Sequence, residues 1–333
     1  MLNNKSILIT GGTGSFGSAY IKSILKKFPK IKRLVIFSRD ELKQYELQNI
    51  LSPKKYKCLR FFLGDMRDES RLQLALKNID IVVHAAALKQ VPAAEYNPQE
   101  FIKTNIIGAQ NVIDAALINN VKKILALSTD KAVNPINLYG STKLCSDKLF
   151  VAANNMSGNK KCIFSVVRYG NVSNSRGSVI PLLKDQNKNN SNFTITHKDM
   201  TRFSITLKEG VDFVINGLKL MKGGEIFIPK IPSVKIIDIA KTINKNRKIK
   251  YIGIRPGEKL HELLISKDDN QGVIEFKKYY IIKSTININR TNINFNISSS
   301  GEKGKVVDEN FEYNSKNNIY FLNTKEIKKL INL

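Results

Sequence analysis

The chain is poor in the residues that mark secreted, metal-binding and membrane-spanning proteins. Among its 333 residues are three cysteines and three histidines. Cys58, Cys145 and Cys162 each sit in an apolar strand- or helix-like run. They read as buried thiols of a reducing compartment, which excludes a disulfide framework. His261 is followed by Glu262 but lacks the second histidine of a zinc helix, and His84 and His197 have no ligand-spaced partners, so no metal is indicated. No apolar run approaches the ~18 residues needed to cross a bilayer. The N-terminus enters a strand directly, without the apolar stretch and small-residue cleavage site of a leader. A cytoplasmic protein with no membrane partner is expected.

Acidic residues are scarce too. Asp and Glu number 28 against 54 Lys and Arg, a formal net charge of +26. Such an excess suits nucleic acid, an anionic surface or a phosphate-rich small substrate. The lysines, however, are spread along the whole chain in the company of Asn and Ile. No RNP-type aromatic signature, zinc spacing or helix-turn-helix pattern goes with them. We read the charge as a bias of composition, with no nucleic-acid partner.

What is present is an alternation of strands and helices. Lys5 to Thr10 is a short apolar strand, followed at once by Gly11-Gly12-Thr13-Gly14-Ser15-Phe16-Gly17 and a helical stretch to Lys27. A strand before and a helix after are the context that makes such a glycine spacing a dinucleotide fingerprint. Gly11 permits the tight turn, Gly14 lets backbone approach a pyrophosphate, and Gly17 allows close helix–strand packing. The helix N-terminus then offers unpaired N–H groups to the phosphates.

The second strand, Arg33 to Phe37, runs into Ser38-Arg39-Asp40-Glu41-Leu42-Lys43. An NAD binder usually has an acidic residue at this strand end for the ribose hydroxyls. Here a hydroxyl and a guanidinium come first, with Lys43 one turn on, which favours a 2′-phosphate and hence NADP. Asp40 also suits a helix N-cap. The third strand, Leu59 to Leu63, leads to Asp65 and Met66, with Asp65 placed to accept from an adenine amino group or to cap the next helix. The fourth, Asp80 to Val83, leads to His84-Ala85-Ala86-Ala87-Leu88-Lys89, where small alanines leave room for a cofactor and Lys89 suits an anion. The helix from about Pro98 to Asn119 carries Thr104 and Asn105, the latter either an ordinary polar residue or a support for a catalytic lysine.

A fifth strand, Lys122 to Ser128, delivers Thr129-Asp130-Lys131; a loop with Asn134 and Pro135 follows, and Tyr139 opens a helix to about Asn155. Tyr139 and Lys143, four apart, share one helix face. Alone, Tyr-x-x-x-Lys is common by chance, and Thr-Asp-Lys after a strand also serves as a cap and turn. Weight comes from convergence, because ligands of doubly wound sheets bind beyond the carboxyl ends of the strands. The glycine loop, Arg39, Asp65, Ala85 and the Asp130–Lys131 stretch all fall there. The expected fold is α/β, a Rossmann-type doubly wound parallel sheet with a smaller C-terminal α/β substrate domain. Residues 1–170, rejoined by 205–222, form the nucleotide-binding part; 171–204 and 223–333 form the other.

The stretch Thr10 to Gly17, with Tyr139 and Lys143, resembles the extended short-chain dehydrogenase/reductase superfamily. Ala85–Pro92, Glu95–Pro98, Lys103–Asn105, Ser128–Pro135, Arg168–Asn171, Ser175–Ser178, Met200–Arg202 and Arg255–Lys259 resemble the inverting UDP-N-acetylglucosamine 4,6-dehydratases, which open pseudaminic acid synthesis for flagellin glycosylation. The resemblance covers nearly the whole chain and weakens around 185–200 and 285–300. Related capsule-type dehydratases tend to carry Met where Tyr139 stands, which favours the pseudaminate branch. Asn174 and Ser204 depart from the family's usual Gly and Trp.

The resemblance implies NADP held by Gly11, Thr13, Gly14, Ser15, Phe16 and Gly17, by Ser38, Arg39, Asp40, Glu41, Leu42 and Lys43, and by Asp65, Met66, Ala85 and Lys89. Thr104, Asn105, Tyr139, Lys143 and Val172 complete that set. It implies UDP-N-acetylglucosamine bound by Lys89, Asn171, Val179 and Ile180, with Arg176, Arg202 and Arg255 converging on its diphosphate. A homo-oligomer is implied, commonly a hexamer. The chemistry expected is catalytic for Thr129, Asp130, Lys131, Tyr139 and Lys143. Tyr139, its pKa lowered by Lys143, takes the C4 hydroxyl proton. A neutral Lys131, for which Lys143 is a candidate neighbouring cation, takes the C5 proton, and protonated Asp130 assists loss of the C6 hydroxyl. Thr129 holds the substrate hydroxyl, and the cofactor ends as it began. Rival expectations are a UDP-hexose 4-epimerase, which needs no Asp-Lys dyad, and a non-catalytic NADP-sensing module, which needs no Tyr139 with Lys143.

Overall fold

Six short apolar segments, each separated from the next by helix, lie side by side as parallel strands in the computed structural model, which describes residues 2–158, 162–173, 175, 177–284, 286 and 293–331. They are β1 (Ser6–Thr10), β2 (Arg33–Ser38), β3 (Leu59–Leu63), β4 (Ile81–His84), β5 (Lys123–Thr129) and β6 (Ile163–Tyr169). Their order across the sheet is 3-2-1-4-5-6. β1 pairs with β2 on one side, Ile7 opposite Leu34, and with β4 on the other, Ile7 opposite Ile81. Every residue of β1 and β4 is buried, as expected of strands covered by helices on both faces. Chain order reverses between β1 and β4, which opens a crevice at their carboxyl ends.

The sheet does not stop at β6. Ile226–Pro229 joins β6 in parallel, and Tyr279–Ile282, Val273–Glu275 and Lys305–Val306 follow antiparallel to a total of ten strands. The sequence division at residue 223 had grouped these segments with the substrate part. They extend the nucleotide sheet instead: Ile226–Pro229 and Tyr279–Ile282 are buried there, and the backbones of Val273–Glu275 and the exposed Lys305–Val306 pair onto them. The helix Leu207–Leu220 opens with a Thr206/Glu209 capping box and lies against β5 and β6. Lys27 of the first helix, Ser15–Lys27, pairs with its Asp212.

A smaller layer surrounds a second core of Ile180, Leu183, Phe193, Ile195, Met200, Ile236 and Ile239. The Asn-rich tail, which shows little pattern in sequence, ends in a helix Thr324–Ile331 whose Ile327 and Ile331, one turn apart, close this core. Cys58 is half-buried and Cys162 buried, but Cys145 is exposed on the outer side of its helix, so its expected burial is corrected. Among the described residues, no helix is long and apolar enough to cross a membrane.

Candidate active site

The nucleotide end is built where glycine alone fits. Gly11 has φ +66°, and a Cβ there would lie 2.9 Å from the Ala86 backbone; one on Gly17 would lie 2.5 Å from the Gly11 carbonyl oxygen. Thr10 locks the two strand ends together. Its Oγ1 accepts from the N–H groups of Ala85 and Ala86 at 3.1 and 3.2 Å and bonds His84 Nδ1 at 2.9 Å. Gly14 is the N-cap of the first helix, and no side chain occupies that cap. The first-turn N–H groups of Ser15, Phe16 and Gly17 are therefore open to an anion, an arrangement that fits a pyrophosphate.

At the end of β2, Thr13 Oγ1 and Ser38 Oγ share a hydrogen bond of 2.7 Å. Asp40 caps the helix Glu41–Ile50, accepting from the Lys43 N–H at 3.0 Å, and also pairs with the Lys43 ammonium. Lys43 is thus already engaged, and Arg39 is the cation that faces outward, its side chain 52% exposed and 3.6 Å from Asp65. Partial burial works against the Asp65 carboxylate, but the hydrogen bonds and charge of Arg67, with the charge of Arg39, hold it below the usual range. Asp68, not Asp65, caps the following helix. Glu41 and Leu42 are exposed on the first turn of their helix, while Met66 is core and packs on Gly108.

Asn105 does more than a polar helix residue. The helix expected over about 98–119 winds as a π-helix between Ile102 and Ile107, a distortion common at functional sites. That places Asn105 Oδ1 on the Leu88 N–H and Nδ2 on the Leu88 carbonyl, both at 2.9 Å, with a 3.0 Å bond to Thr142 Oγ1. Thr142 in turn donates to the Tyr139 carbonyl at 2.8 Å. The loop carrying Ala85 and exposed Lys89 is so tied to the helix of Tyr139. Thr104 is buried beside Asn105.

The structure brings Thr129, Asp130, Lys131, Tyr139 and Lys143 together. β5 ends in a single turn, Asp130–Ala132, over which the helix Leu138–Met156 packs, with Asn137 capping Gly140 N–H at 2.7 Å. The approach is close enough that a Cβ on Gly140 would stand 2.2 Å from the Lys131 carbonyl oxygen. Asp130 is wholly buried. Its Oδ1 accepts from Thr129 Oγ1 at 2.9 Å and from Lys131 Nζ at 3.1 Å, whereas Oδ2 has no partner. The Tyr139 phenol hydrogen-bonds Thr129, and burial pushes it up to about 12 against the opposing charge of Lys131.

Two electrostatic expectations need correction. Lys143 Nζ donates to the Leu127 carbonyl at 2.8 Å, and Lys131, rather than Lys143, is the leading cation that favours the Tyr139 phenolate. Burial pushes the Lys143 ammonium below the lysine range, partly offset by Asp147. Nor is Lys131 made neutral by nearby cations. It sits between two carboxylates, 3.1 Å from Asp130 and 3.3 Å from Glu262. Burial disfavours its charge, but those carboxylates outweigh burial and hold the ammonium above the usual range.

Residues 255–262 form the outer wall. Lys259 Nζ reaches the Val133 carbonyl at 2.6 Å, and the Gly257 carbonyl accepts from Asn137 Nδ2 at 2.8 Å. Arg202 and Arg255 meet, but on a carboxylate of the chain itself: both contact Glu258, at 3.3 and 3.1 Å. Arg202 is buried, whereas Arg255 is largely exposed. Arg176 and Asn174 lie outside the described residues. Asn171 Oδ1 accepts from Lys131 Nζ at 3.4 Å, and Asn171, Val172, Val179, Ile180 and Arg202 line one small cavity with Ser204.

A family model described as "Polysaccharide biosynthesis protein" matches residues 7–284. The chain belongs to that family. Among curated relatives it is 54% identical over 333 residues to the UDP-N-acetylglucosamine 4,6-dehydratase (inverting) of Campylobacter jejuni subsp. jejuni serotype O:23/36 (strain 81-176), covering 100% of this chain and 98% of that one. It is 42% identical over 338 residues to a UDP-glucose 4-epimerase of Rickettsia bellii (strain OSU 85-389), covering 99% and 96%. The solved structure of Pen from Bacillus thuringiensis superposes with a TM-score of 0.88 at 37% identity, over 99% of this chain and 98% of that one. These findings bear out the resemblance and the Rossmann-type α/β class drawn from the sequence.

Within this polysaccharide biosynthesis protein the motifs failed to single out three residues. Asp147, buried, accepts from Ser128 Oγ at 2.7 Å and pairs with Arg168 at 3.4 Å, so it underlies Lys143. Burial raises its pKa, opposed by Arg168 and Lys143. Thr142 is hidden by its ordinary place inside Tyr-x-x-x-Lys. Glu262 is hidden by distance along the chain. The one signal for Asp147 was its spacing: it stands one turn beyond Lys143 on the same helix face.

Proposed function

We propose that the chain is a C5-inverting UDP-N-acetylglucosamine 4,6-dehydratase working with NADP, on the pathway to pseudaminic acid. The observation that carries this is the pair Asp130–Lys131 at the end of β5, with the Tyr139 phenol joined to it through Thr129. An epimerase needs only a phenol and a nicotinamide, whereas elimination of water needs a base for C5 and an acid for the leaving oxygen.

The cofactor would be held by Gly11 to Gly17 at the pyrophosphate, by Thr13, Ser38 and Arg39 at the 2′-phosphate end, and by Ala85, Asn105, Lys143 and Val172 towards the nicotinamide. A bound nicotinamide supplies a reversible two-electron exchange, first at C4 and then at C6. Tyr139, as the phenolate that the facing Lys131 ammonium favours, takes the C4 hydroxyl proton, and the ketone that results acidifies the C5 proton. Lys131 removes that proton. Asp130, carrying a proton on the otherwise unpartnered Oδ2, gives it to the departing C6 oxygen. Lys89, Asn171, Val179 and Ile180, with Arg202 and Arg255, would hold the sugar nucleotide; Arg176 is assigned to the same task on its motif alone. The Glu258 contact keeps Arg202 and Arg255 together, so a diphosphate would have to compete for their outer N–H groups.

The curated epimerase relative supports a second reading, UDP-hexose 4-epimerisation. The 54% relative and the Asp-Lys dyad favour dehydration. Mass spectrometry of UDP-N-acetylglucosamine incubated with the protein and NADP separates the two. Loss of one water supports dehydration; unchanged mass with a new epimer contradicts it.

A further inference from the structure

Lys131 carries an ammonium at rest, yet a base must present an amine. Its proton needs somewhere to go that is close, buried and reached without solvent. Asp130 is the nearer carboxylate at 3.1 Å, but it is the proposed acid for the leaving oxygen and Thr129 already donates to the same Oδ1. Glu262 is the other neighbour. Its Oε1 lies 3.3 Å from Lys131 Nζ, its Oε2 has no partner, and the residue is 2% exposed. The backbone holds it there: Glu262 N–H donates to Ser315 Oγ at 2.9 Å, and its carbonyl accepts from Ser315 N–H at 2.9 Å.

The charged groups facing this carboxyl are Lys131, Asp130, Arg202 and Lys259. Arg202 Nε stands 3.7 Å away while its Nη2 is drawn to Glu258, and Lys259 is turned to the Val133 carbonyl. Lys131 and Arg202 therefore face Asp130, Glu262 and Glu258 in one largely buried cluster. Burial raises Glu262 despite these cations. A sugar that closes the site and expels water disfavours a buried ion pair relative to a neutral one.

We propose that Glu262 is the positioning and proton-accepting partner of Lys131, a proposal that rests on the dehydratase reading above. The ammonium N–H bond breaks, the proton moves to a Glu262 oxygen, and Lys131 is left as the amine that attacks the C5 proton. Atoms and charge balance inside the pair: ammonium and carboxylate become amine and carboxylic acid. When Lys131 has taken the C5 proton it is again an ammonium; return of a proton to C5 and passage of the Glu262 proton to Asp130, which lost its own to the departing water, restore the resting state.

The test is the pH profile of Glu262→Gln in the NADP-loaded protein with UDP-N-acetylglucosamine. For the unaltered protein the transfer is internal, so kcat is expected to be flat through neutral pH. In Glu262→Gln the proton must leave to solvent, so kcat falls by about 30-fold or more near neutrality and rises about tenfold per pH unit, with KM within about threefold. Glu262→Asp, which keeps an acceptor, restores the flat profile. A Glu262→Gln protein with a flat profile overturns the proposal, whatever its rate. Should that variant not fold, infrared difference spectra of the unaltered holoenzyme on adding substrate decide. A carboxylic-acid carbonyl band shifted by 13C-glutamate labelling supports the transfer, and its absence overturns it. No turnover by the unaltered protein would instead strike at the dehydratase reading itself.

Discussion

Gly140 sits between the two halves of the proposed chemistry, and adding one methyl group there is the most discriminating perturbation of the geometry. In Gly140→Ala the new Cβ would stand 2.2 Å from the Lys131 carbonyl oxygen and 3.0 Å from Pro135 Cβ. The obstructing atom is backbone, so no rotamer change relieves the contact. The turn Asp130–Ala132 and the helix Leu138–Met156 must separate by about 1 Å to reach van der Waals distance. Overpacking of this kind costs about 1–3 kcal/mol of stability, readable in the denaturant midpoint. Its larger effect is on rate, because a misplacement of about 1 Å between reacting groups costs about 100-fold. We expect kcat for dehydration to fall by about that factor, while NADP binding, followed by titration calorimetry, stays near that of the unaltered protein because the glycine loop is untouched. Full activity in a folded Gly140→Ala protein would refute the packing of helix on turn on which the site depends.

Two other outcomes follow from the same geometry. Arg39→Ala removes an outward-facing cation at the end of β2, and a lost charge-assisted hydrogen bond should weaken NADP by about ten- to hundredfold while leaving NAD unchanged, as titration calorimetry would show. Lys131 is held above the lysine range, so its contribution to stability is complete below the unfolded value of about 10.4 and is lost as pH rises through the higher folded value. Lys131→Met should therefore lose stability at neutral pH and show a shallower decline above about pH 10.4 in denaturant titrations; identical alkaline limbs would contradict the ion cage.

The backbone of this site was legible in the sequence because its signals are local. The glycines of residues 11–17 report a turn that excludes Cβ atoms, and apolar runs such as Ile81 to Val83 report strands buried on both faces. Asp130, Lys131, Tyr139 and Lys143 could be gathered because all lie at or just after one strand end. The charge state of the site was not legible. Whether Lys131 meets cations or carboxylates depends on Glu262, which is remote along the chain and meets it only in the fold. The same holds for Arg202 and Arg255, whose guanidinium groups suggested a diphosphate but whose resting partner is Glu258. Asn105 was ambiguous because a helical period assumes 3.6 residues per turn, and its π-helical turn rotates it onto Leu88 and Thr142. Strands near the sheet edge, such as Val273–Glu275 and Lys305–Val306, are too short to declare which sheet they join.

The most direct measurement is turnover of UDP-N-acetylglucosamine with NADP in deuterated water, followed by NMR of the product. We expect a 4-keto-6-deoxy sugar nucleotide that carries deuterium at C5 in the inverted configuration. A product that keeps its original C5 hydrogen and configuration would contradict proton abstraction at C5, and with it the role given to Lys131.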